Sequence, residues 1–228
     1  MSKKKGKNSN YKGEVDTKGL PFRKEEAPEK SFFQKYQNII IISICAVLAI
    51  ALIVGIILVL NPRNDVFVEF DFGDYGKIVV EIDREAAPIT ADNFISLVES
   101  GFYNGLAINR GEPGFVIQGG ENKNTDTEPI KGEFYLNGYN NPISHKRGVI
   151  SMARDDFDSA TSQFFIVLDD SAATDLDGAY AAFGYVFEGM DVADKIAEEL
   201  YKHKYNDMGF VNDEDAITIV SAKIVNYN

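Results

Sequence analysis

Residues 109–120, which read N-R-G-E-P-G-F-V-I-Q-G-G, place one cation, Arg110, and two amides, Asn109 and Gln118, beside a short apolar run. Because side chains alternate across a strand, Val116 and Gln118 share one face, while Phe115 lies on the other. The two glycines at the end let the backbone turn sharply or approach a neighbour closely. This pattern predicts a strand that places Arg110 and Gln118 at the edge of an apolar hollow.

A second stretch has the same character. Residues 159–168 read S-A-T-S-Q-F-F-I-V-L, so that Gln163 precedes Phe164, Phe165 and an aliphatic run. Two such strands, placed side by side, can line one apolar pocket that holds a few fixed polar groups.

The charge of the chain changes sharply along its length. Residues 1–38 contain ten Lys or Arg and five Asp or Glu, without apolar periodicity, which predicts a disordered basic tail. From residue 61 onward there are 13 basic and 30 acidic residues, a net charge of −17. Because its net charge is strongly negative, this domain should repel nucleic acid, and we expect no nucleic-acid partner.

Between these parts, residues 39–60 carry no charged side chain. A helix of 22 residues is about 33 Å long and matches a hydrocarbon core of about 30 Å, so the segment predicts one transmembrane helix. A cleaved signal peptide is the alternative, but its apolar region is usually about 7–15 residues and ends at small residues. The positive-inside rule then places the N-terminus in the cytoplasm and the domain outside the cell membrane.

The only cysteine, Cys45, lies in the apolar segment, so an intramolecular disulfide is impossible. After a short linker at residues 61–65, the domain at residues 66–228 shows alternating strand patterns and two helical patterns. Strands are predicted at residues 66–72, 77–82, 106–110, 115–118, 148–152, 163–168, 180–186 and 216–225, and helices at residues 88–100 and 191–200. Many short strands with two helices favour a mainly β fold, a closed antiparallel barrel capped at its ends.

Four sequence blocks follow one another along the domain. They are R-x-x-P-G-F-V-I-Q-G-G from Arg110, I-S-M-A-R at 150–154, S-Q-F-F-I at 162–166 and L-D-G-A-Y-A-A-F-G at 176–184. In this order they resemble the cyclophilin family of peptidyl-prolyl isomerases. The resemblance covers roughly residues 66–228. It implies an eight-stranded barrel with two capping helices and an enzyme that accelerates rotation about X-Pro bonds in secreted or surface polypeptides.

The resemblance also implies a role for each matching residue. Arg110 stands at the catalytic arginine and Gln118 at the glutamine that orients it. Ala153 and Gln163 match positions that contact the residue before the proline, and Arg154 matches one that offers backbone hydrogen bonds. Residues at substrate-contact and proline-pocket positions are Asn109, Phe115, Val116, Phe165, Leu176 and Tyr180. The reaction needs no metal and no cofactor, and the expected partners are proline-containing segments bound by a monomeric domain.

The sequence departs from the family pattern at four positions. Asn109 replaces a histidine, Gly111 and Glu112 replace a bulky aliphatic pair, and Asp175 stands at the tryptophan found in many relatives. Glu112 can pair with Arg110 and divert its guanidinium. A proline-peptide binding or holdase module with weak catalysis is therefore the first alternative function. A scaffold that acts through the basic tail is the second alternative.

Overall fold

A computed structural model describes residues 32–60, 66–124 and 127–227. The chain divides into two compact units, Met1–Pro62 and Arg63–Asn228. Most of the predicted basic tail, residues 1–31, and the predicted linker at residues 61–65 lie outside the described residues.

The described part of the first unit is one helix, α1 (Phe32–Leu60). Its stretch Gln34–Ile53 is long and apolar enough to cross a membrane, and a signal sequence would pass the same test. The helix begins seven residues before the predicted start at Ile39. No proline or glycine occurs between residues 31 and 54, so nothing in the sequence breaks the helix there.

The second unit is an antiparallel sheet of nine strands with helices packed on it. The strand order is β8-β3-β4-β6-β5-β7-β2-β1-β9. The strands are β1 (Val66–Asp71), β2 (Lys77–Ile82), β3 (Ala107–Glu112), β4 (Val116–Gly119), β5 (Val149–Met152), β6 (Phe164–Val167), β7 (Ala181–Glu188), β8 (Ile217–Thr218) and β9 (Ser221–Val225).

Both predicted helices of this unit are present. They are α2 (Pro88–Glu99) and α4 (Met190–Lys202), and a four-residue helix, α3 (Ala173–Leu176), lies between them. In α2 the proline occupies the first turn, where its missing N–H costs nothing, and Phe94, Ile95 and Val98 are buried as their spacing predicts.

The sheet curls around a core rich in aromatic rings. Phe70, Phe94, Phe164 and Phe183 are all fully buried. The ring centroid of Phe94 lies 4.9 Å from that of Phe183 and 5.9 Å from that of Phe164. This core holds the inner faces of β6 and β7 against α2. The outer face of β6 carries part of the site described below.

The predicted closed barrel of eight strands is confirmed only as a curled antiparallel sheet, and the number of strands is nine. The single strand predicted at residues 216–225 is two, because its halves pair with different neighbours: β8 with β3 and β9 with β1. Between them, the Ile219 N–H donates to the Leu106 carbonyl at 2.7 Å and the Val220 N–H to the Asp71 carbonyl at 2.8 Å. The change of partner at these two residues interrupts the strand.

Candidate active site

A cavity of about 370 Å³ lies on the outer face of the sheet. Nine of the eleven residues named from the sequence line it. Its lining consists of Arg110, Phe115, Val116, Gln118, Ala153, Arg154, Phe165, Leu176, Tyr180, Met208 and Phe210. Of the other two predicted residues, Gln163 bonds to Gln118, and Asn109 lines an adjoining cavity. Sequence reasoning missed Met208 and Phe210.

A β-bulge turns Arg110 toward this cavity. Ile108 pairs with Gly119 and Arg110 pairs with Gln118, so two steps along β3 oppose one step along β4. Ile108 is fully buried in the core, and regular alternation would send Arg110 to the same side. The extra residue, Asn109, reverses the alternation, and bulges commonly re-aim a side chain in this way.

The strand register then aligns the site residues across the sheet. Arg110 is opposite Gln118, Gln118 is opposite Phe165, and Phe165 is opposite Ser151. Residues that are directly opposite in paired strands project from the same face. The cation, the amide and the aromatic ring therefore form one row on the outer face.

Three acceptors hold the Arg110 guanidinium. Its Nη1 donates to Gln118 Oε1 at 3.1 Å, its Nη2 to Glu112 Oε2 at 2.9 Å and its Nε to the Met208 carbonyl at 2.8 Å. An arginine has five N–H donors. Among the described residues, one N–H on each Nη has no partner, so the held guanidinium retains donors for a ligand.

Two aromatic rings complete the surroundings of this cation. The Arg110 Cζ lies 5.5 Å from the Phe115 ring centroid and 5.3 Å from that of Phe210. Cations within about 6 Å of a ring centroid are attracted to the ring. The side chain is 16% exposed, so its charge acts in a partly water-excluded setting.

The amide of Gln118 connects the cation to the next strand. Its Nε2 donates to Gln163 Oε1 at 3.0 Å, while its own oxygen accepts from Arg110. Both ends of the amide are engaged, which fixes its orientation. The predicted orienting role of Gln118 is compatible with this geometry.

Phe165 forms the floor of the apolar part of the cavity and is 4% exposed. The Tyr180 ring stands edge-on to it, with centroids 5.5 Å apart. Val116 and Leu176 are buried in the same cluster, and Phe115 packs against it. These side chains form an apolar hollow beside the Arg110 guanidinium.

A buried histidine supports the floor from behind. The His145 ring stacks on Phe165 at 6.0 Å with an interplanar angle of 18°. Its Nε2 lies 2.9 Å from Ser151 Oγ and its Nδ1 lies 2.9 Å from Asp177 Oδ1. Burial lowers the pKa of His145, against the opposing effect of Asp177, so the neutral ring is favoured.

The carboxylate beside this histidine stays charged. Burial alone would raise the pKa of Asp177, but hydrogen bonds from the His145 N–H, the Ser144 hydroxyl and the His145 ring outweigh it, and the pKa lies below its usual range. Asp177 bonds to His145, which in turn contacts Ser151 on β5 and the Phe165 ring. In this way Asp177 connects the floor of the cavity to the segment between Leu176 and Tyr180. Within the described parts of the chain, no three His, Cys, Asp or Glu side chains converge as a metal site.

The side chain of Arg154 lies among three aromatic rings. Its Cζ is 4.6 Å from the Phe134 centroid, 4.9 Å from that of Tyr180 and 5.5 Å from that of Phe157. Its Nε donates to the Ala179 carbonyl at 2.8 Å. The guanidinium therefore steadies the segment that carries Tyr180, in addition to any backbone contact with substrate.

The segment that carries Met208 and Phe210 is fastened along β3. The Gly111 N–H donates to the Gly209 carbonyl at 2.9 Å, and the Val211 N–H donates to the Asn109 carbonyl at 3.0 Å. A Cβ on Gly111 would lie 2.8 Å from Leu200 Cβ on α4. The departure from a bulky residue at Gly111 thus permits this close packing, a contact that no local pattern signals.

Comparisons with known proteins agree with this architecture. The family described as cyclophilin type peptidyl-prolyl cis-trans isomerase/CLD matches residues 67–224. Peptidyl-prolyl cis-trans isomerase A of Dickeya dadantii is 43% identical over 127 residues, 54% of this chain and 67% of that protein. Peptidyl-prolyl cis-trans isomerase B of Bacillus subtilis is 40% identical over 120 residues, 53% of this chain and 82% of that protein.

Solved structures share the fold. A cyclophilin type peptidyl-prolyl cis-trans isomerase of Cryptosporidium parvum superposes with a TM-score of 0.58 at 23% identity, covering 72% of this chain and 99% of that one. The family match spans most of the chain and contains the row of site residues on the sheet. The chain belongs to the cyclophilin family and is a peptidyl-prolyl cis-trans isomerase.

Proposed function

We propose that Arg110 is the catalytic group of this isomerase and that the cavity beside it binds the proline ring. The observation that carries the proposal is the guanidinium held by Gln118, Glu112 and the Met208 carbonyl at the edge of an apolar hollow. No other described arginine lining the hollow is held in this way, since Arg154 is enclosed by aromatic rings.

The reaction forms and breaks no covalent bond, because it is a rotation about the existing C–N bond. Resonance gives the peptide bond a rotation barrier of about 18–20 kcal/mol, and X-Pro bonds isomerise unaided in tens to hundreds of seconds. As the bond twists, the nitrogen lone pair leaves resonance and can accept a hydrogen bond. A donor that bonds only to this twisted state lowers the barrier, and each 1.36 kcal/mol gives a tenfold rate increase.

The free N–H groups of Arg110 are suited to that donation. Gln118 orients the guanidinium, and Phe165 with Tyr180, Val116, Leu176 and Phe115 encloses the ring. Ala153, Gln163 and the Arg154 backbone contact the residue before the proline, and Asn109 contacts the segment on the other side. One cyclophilin structure from Cryptosporidium parvum was determined in the presence of the dipeptide Ala-Pro. This supports a proline-containing polypeptide as the ligand here.

The test is an isomerisation assay on the full chain with Arg110→Ala. Removing one preorganised donor of this kind costs about 100- to 1000-fold in rate, and we expect a fall of that size. Arg84→Ala is the matched control, because Arg84 pairs with Asp92 at an exposed position away from the cavity. Equal rates for wild type and Arg110→Ala would refute the role of Arg110.

A binding module with weak catalysis is the second candidate, favoured by the 2.9 Å pair between Arg110 and Glu112. The carboxylate draws charge away from the position that the imide nitrogen would occupy. The two candidates differ in one measurement. A binder holds an X-Pro peptide without line broadening from exchange between its cis and trans forms, whereas an enzyme produces that exchange.

We propose further that α1 anchors the isomerase in the cell membrane, with a cytoplasmic tail at residues 1–38 and an extracytoplasmic, monomeric domain at residues 66–228. The side chains at residues 39–53 support this, since the large apolar ones among them are mostly exposed. The clients would then be secreted or surface polypeptides. Resistance of the full chain to alkaline extraction from membranes tests the anchor, and release into the soluble fraction would refute it.

A closed barrel is the finer architecture that we propose for the domain. The two strands at the ends of the sheet order, β8 and β9, are consecutive in the chain. Ile219 donates to Leu106, which directly precedes β3, and Val220 donates to Asp71, the last residue of β1. Closure would remove both free sheet edges, which are a liability in exposed antiparallel sheets.

A further inference from the structure

A second cavity adjoins the proposed proline cavity and is of the same size, about 370 Å³. Its lining contains a larger share of polar groups than that of the first. The residues around it are Asn109, Glu121, Lys123, Tyr205, Phe210, Val211, Asn212 and Asp213. Neither the family resemblance nor the reaction assigns a role to the charged members of this set.

The two cavities share one wall. Phe210 lines both of them. Asn109 and Arg110 are neighbours in β3, and the bulge between them sends one toward each cavity. An extended polypeptide that lies across the first cavity therefore passes Phe210 and enters the second.

The direction of the bound segment follows from the proposed function. Ala153 and Gln163 are assigned to the residue before the proline. Ala153 lines the first cavity but not the second, and Gln163 reaches Arg110 only through Gln118. The second cavity lies on the side of Phe210 and Asn109, so it faces the residues that follow the proline.

The charge of the second cavity favours a basic side chain. Glu121 and Asp213 contribute two carboxylates, and Lys123 contributes one ammonium. Lys123 pairs with Asp213 at 2.8 Å, but the two side chains are 59% and 82% exposed. Exposed pairs of this kind contribute little stability, so a ligand can displace the lysine at small cost.

An unpaired acceptor adds to this preference for donors. The Asn109 Oδ1 atom is buried and has no hydrogen-bond partner in the described part of the chain. Buried acceptors are normally satisfied, and a ligand that brings a donor would correct the deficit.

We propose that this polar cavity is a second substrate subsite that selects a lysine or arginine in the two positions after the proline. The proposal rests on the proposed function, since it uses the direction of the polypeptide in the first cavity. It makes Glu121 and Asp213 specificity-determining residues for the same reaction.

The experiment compares three peptides that differ only in the two positions after proline, which are both Lys, both Gln or both Glu. Isomerisation by the full chain is followed by NMR exchange at low ionic strength. We expect kcat/KM to fall in the order Lys, Gln, Glu, with about a three- to fivefold span from exposed charge contacts. The difference should lie in KM, and it should shrink in high salt.

Among the described residues that line the cavity, the variant Glu121→Gln/Asp213→Asn leaves Lys123 as the only charged side chain, and we expect it to reverse the order of the peptides. Asp74→Asn/Glu85→Gln is the matched control, because it removes the same charge from exposed residues outside both cavities. The control should keep the wild-type order.

Equal kcat/KM values for the Lys, Gln and Glu peptides would refute the proposal of a charge-selective subsite. So would a control double variant that loses the wild-type order of the peptides as completely as Glu121→Gln/Asp213→Asn does. Failure to accelerate even the Gln peptide would overturn the proposed function instead. The two failures are therefore distinguishable in one data set.

Discussion

Glu112 provides a direct test of how the active-site charge is used. Its carboxylate accepts from Arg110 Nη2 at 2.9 Å, with side chains 16% and 32% exposed for Arg110 and Glu112. Two changes are informative: Glu112→Ala removes the acceptor and the charge, and Glu112→Gln removes the charge but keeps an acceptor. In both variants the Met208 carbonyl and Gln118 still hold the guanidinium.

The expected effects can be bounded from this geometry. A charged hydrogen bond contributes about 1.5–3 kcal/mol and an exposed ion pair about 0–1 kcal/mol, so this partly exposed pair contributes about 1 kcal/mol. The loss would lower Tm by about 2–4 °C. Isomerase activity should stay equal or rise, up to about tenfold, because an unpaired guanidinium presents more positive charge to the imide nitrogen.

The assay measures kcat/KM on an X-Pro peptide for wild type and both variants, with Tm determined on the same samples. The two variants separate charge from geometry. A fall of tenfold or more in both would refute the reasoning, since it would mean that the carboxylate assists catalysis. A fall in Glu112→Ala that Glu112→Gln restores would mean that Glu112 is needed to orient Arg110.

Two further predictions concern the support of the site. Gly111→Val should lower the free energy of unfolding by about 1–3 kcal/mol or more and reduce activity, because the new Cβ would lie 2.8 Å from Leu200 Cβ. A denaturant unfolding curve that matches that of wild type would contradict this prediction. The lowered pKa of buried His145 means that the unfolded chain binds more protons below pH about 6.5, so stability should fall from pH 7.5 to 5.5. The pKa of Asp177 is also lowered, but its contribution is lost only at more acidic pH. Urea unfolding of His145→Gln should show a flatter pH dependence than wild type in this window, and equal slopes for the two proteins would contradict the prediction.

Much of the site could be predicted from the sequence. The helical spacing in α2 and the four ordered blocks depend on local pattern, and local pattern is readable in a chain of any fold. The alternation that placed Phe115 on the face opposite Val116 and Gln118 was wrong, because Phe115 precedes β4 and lines the same cavity as they do. The cavity brings nine of the predicted residues together. The sequence also predicted the apolar helix α1, although this helix starts earlier than predicted.

The remaining features depend on contacts between distant parts of the chain. Met208 meets Arg110 across 98 residues, and no spacing in either segment indicates this contact. The division of the last strand into β8 and β9 follows from a change of pairing partner, not from a break in its alternating pattern.

Sequence alone determined which residue types were available: the Arg110 cation, the amides of Asn109, Gln118 and Gln163, and a set of apolar side chains on short strands. Tertiary structure decided where the cation points, because the bulge at Asn109 moves Arg110 from the core side of β3 to the outer face. A one-residue change of register reverses the face of every following side chain, and pairing with β4, rather than composition, selects that register.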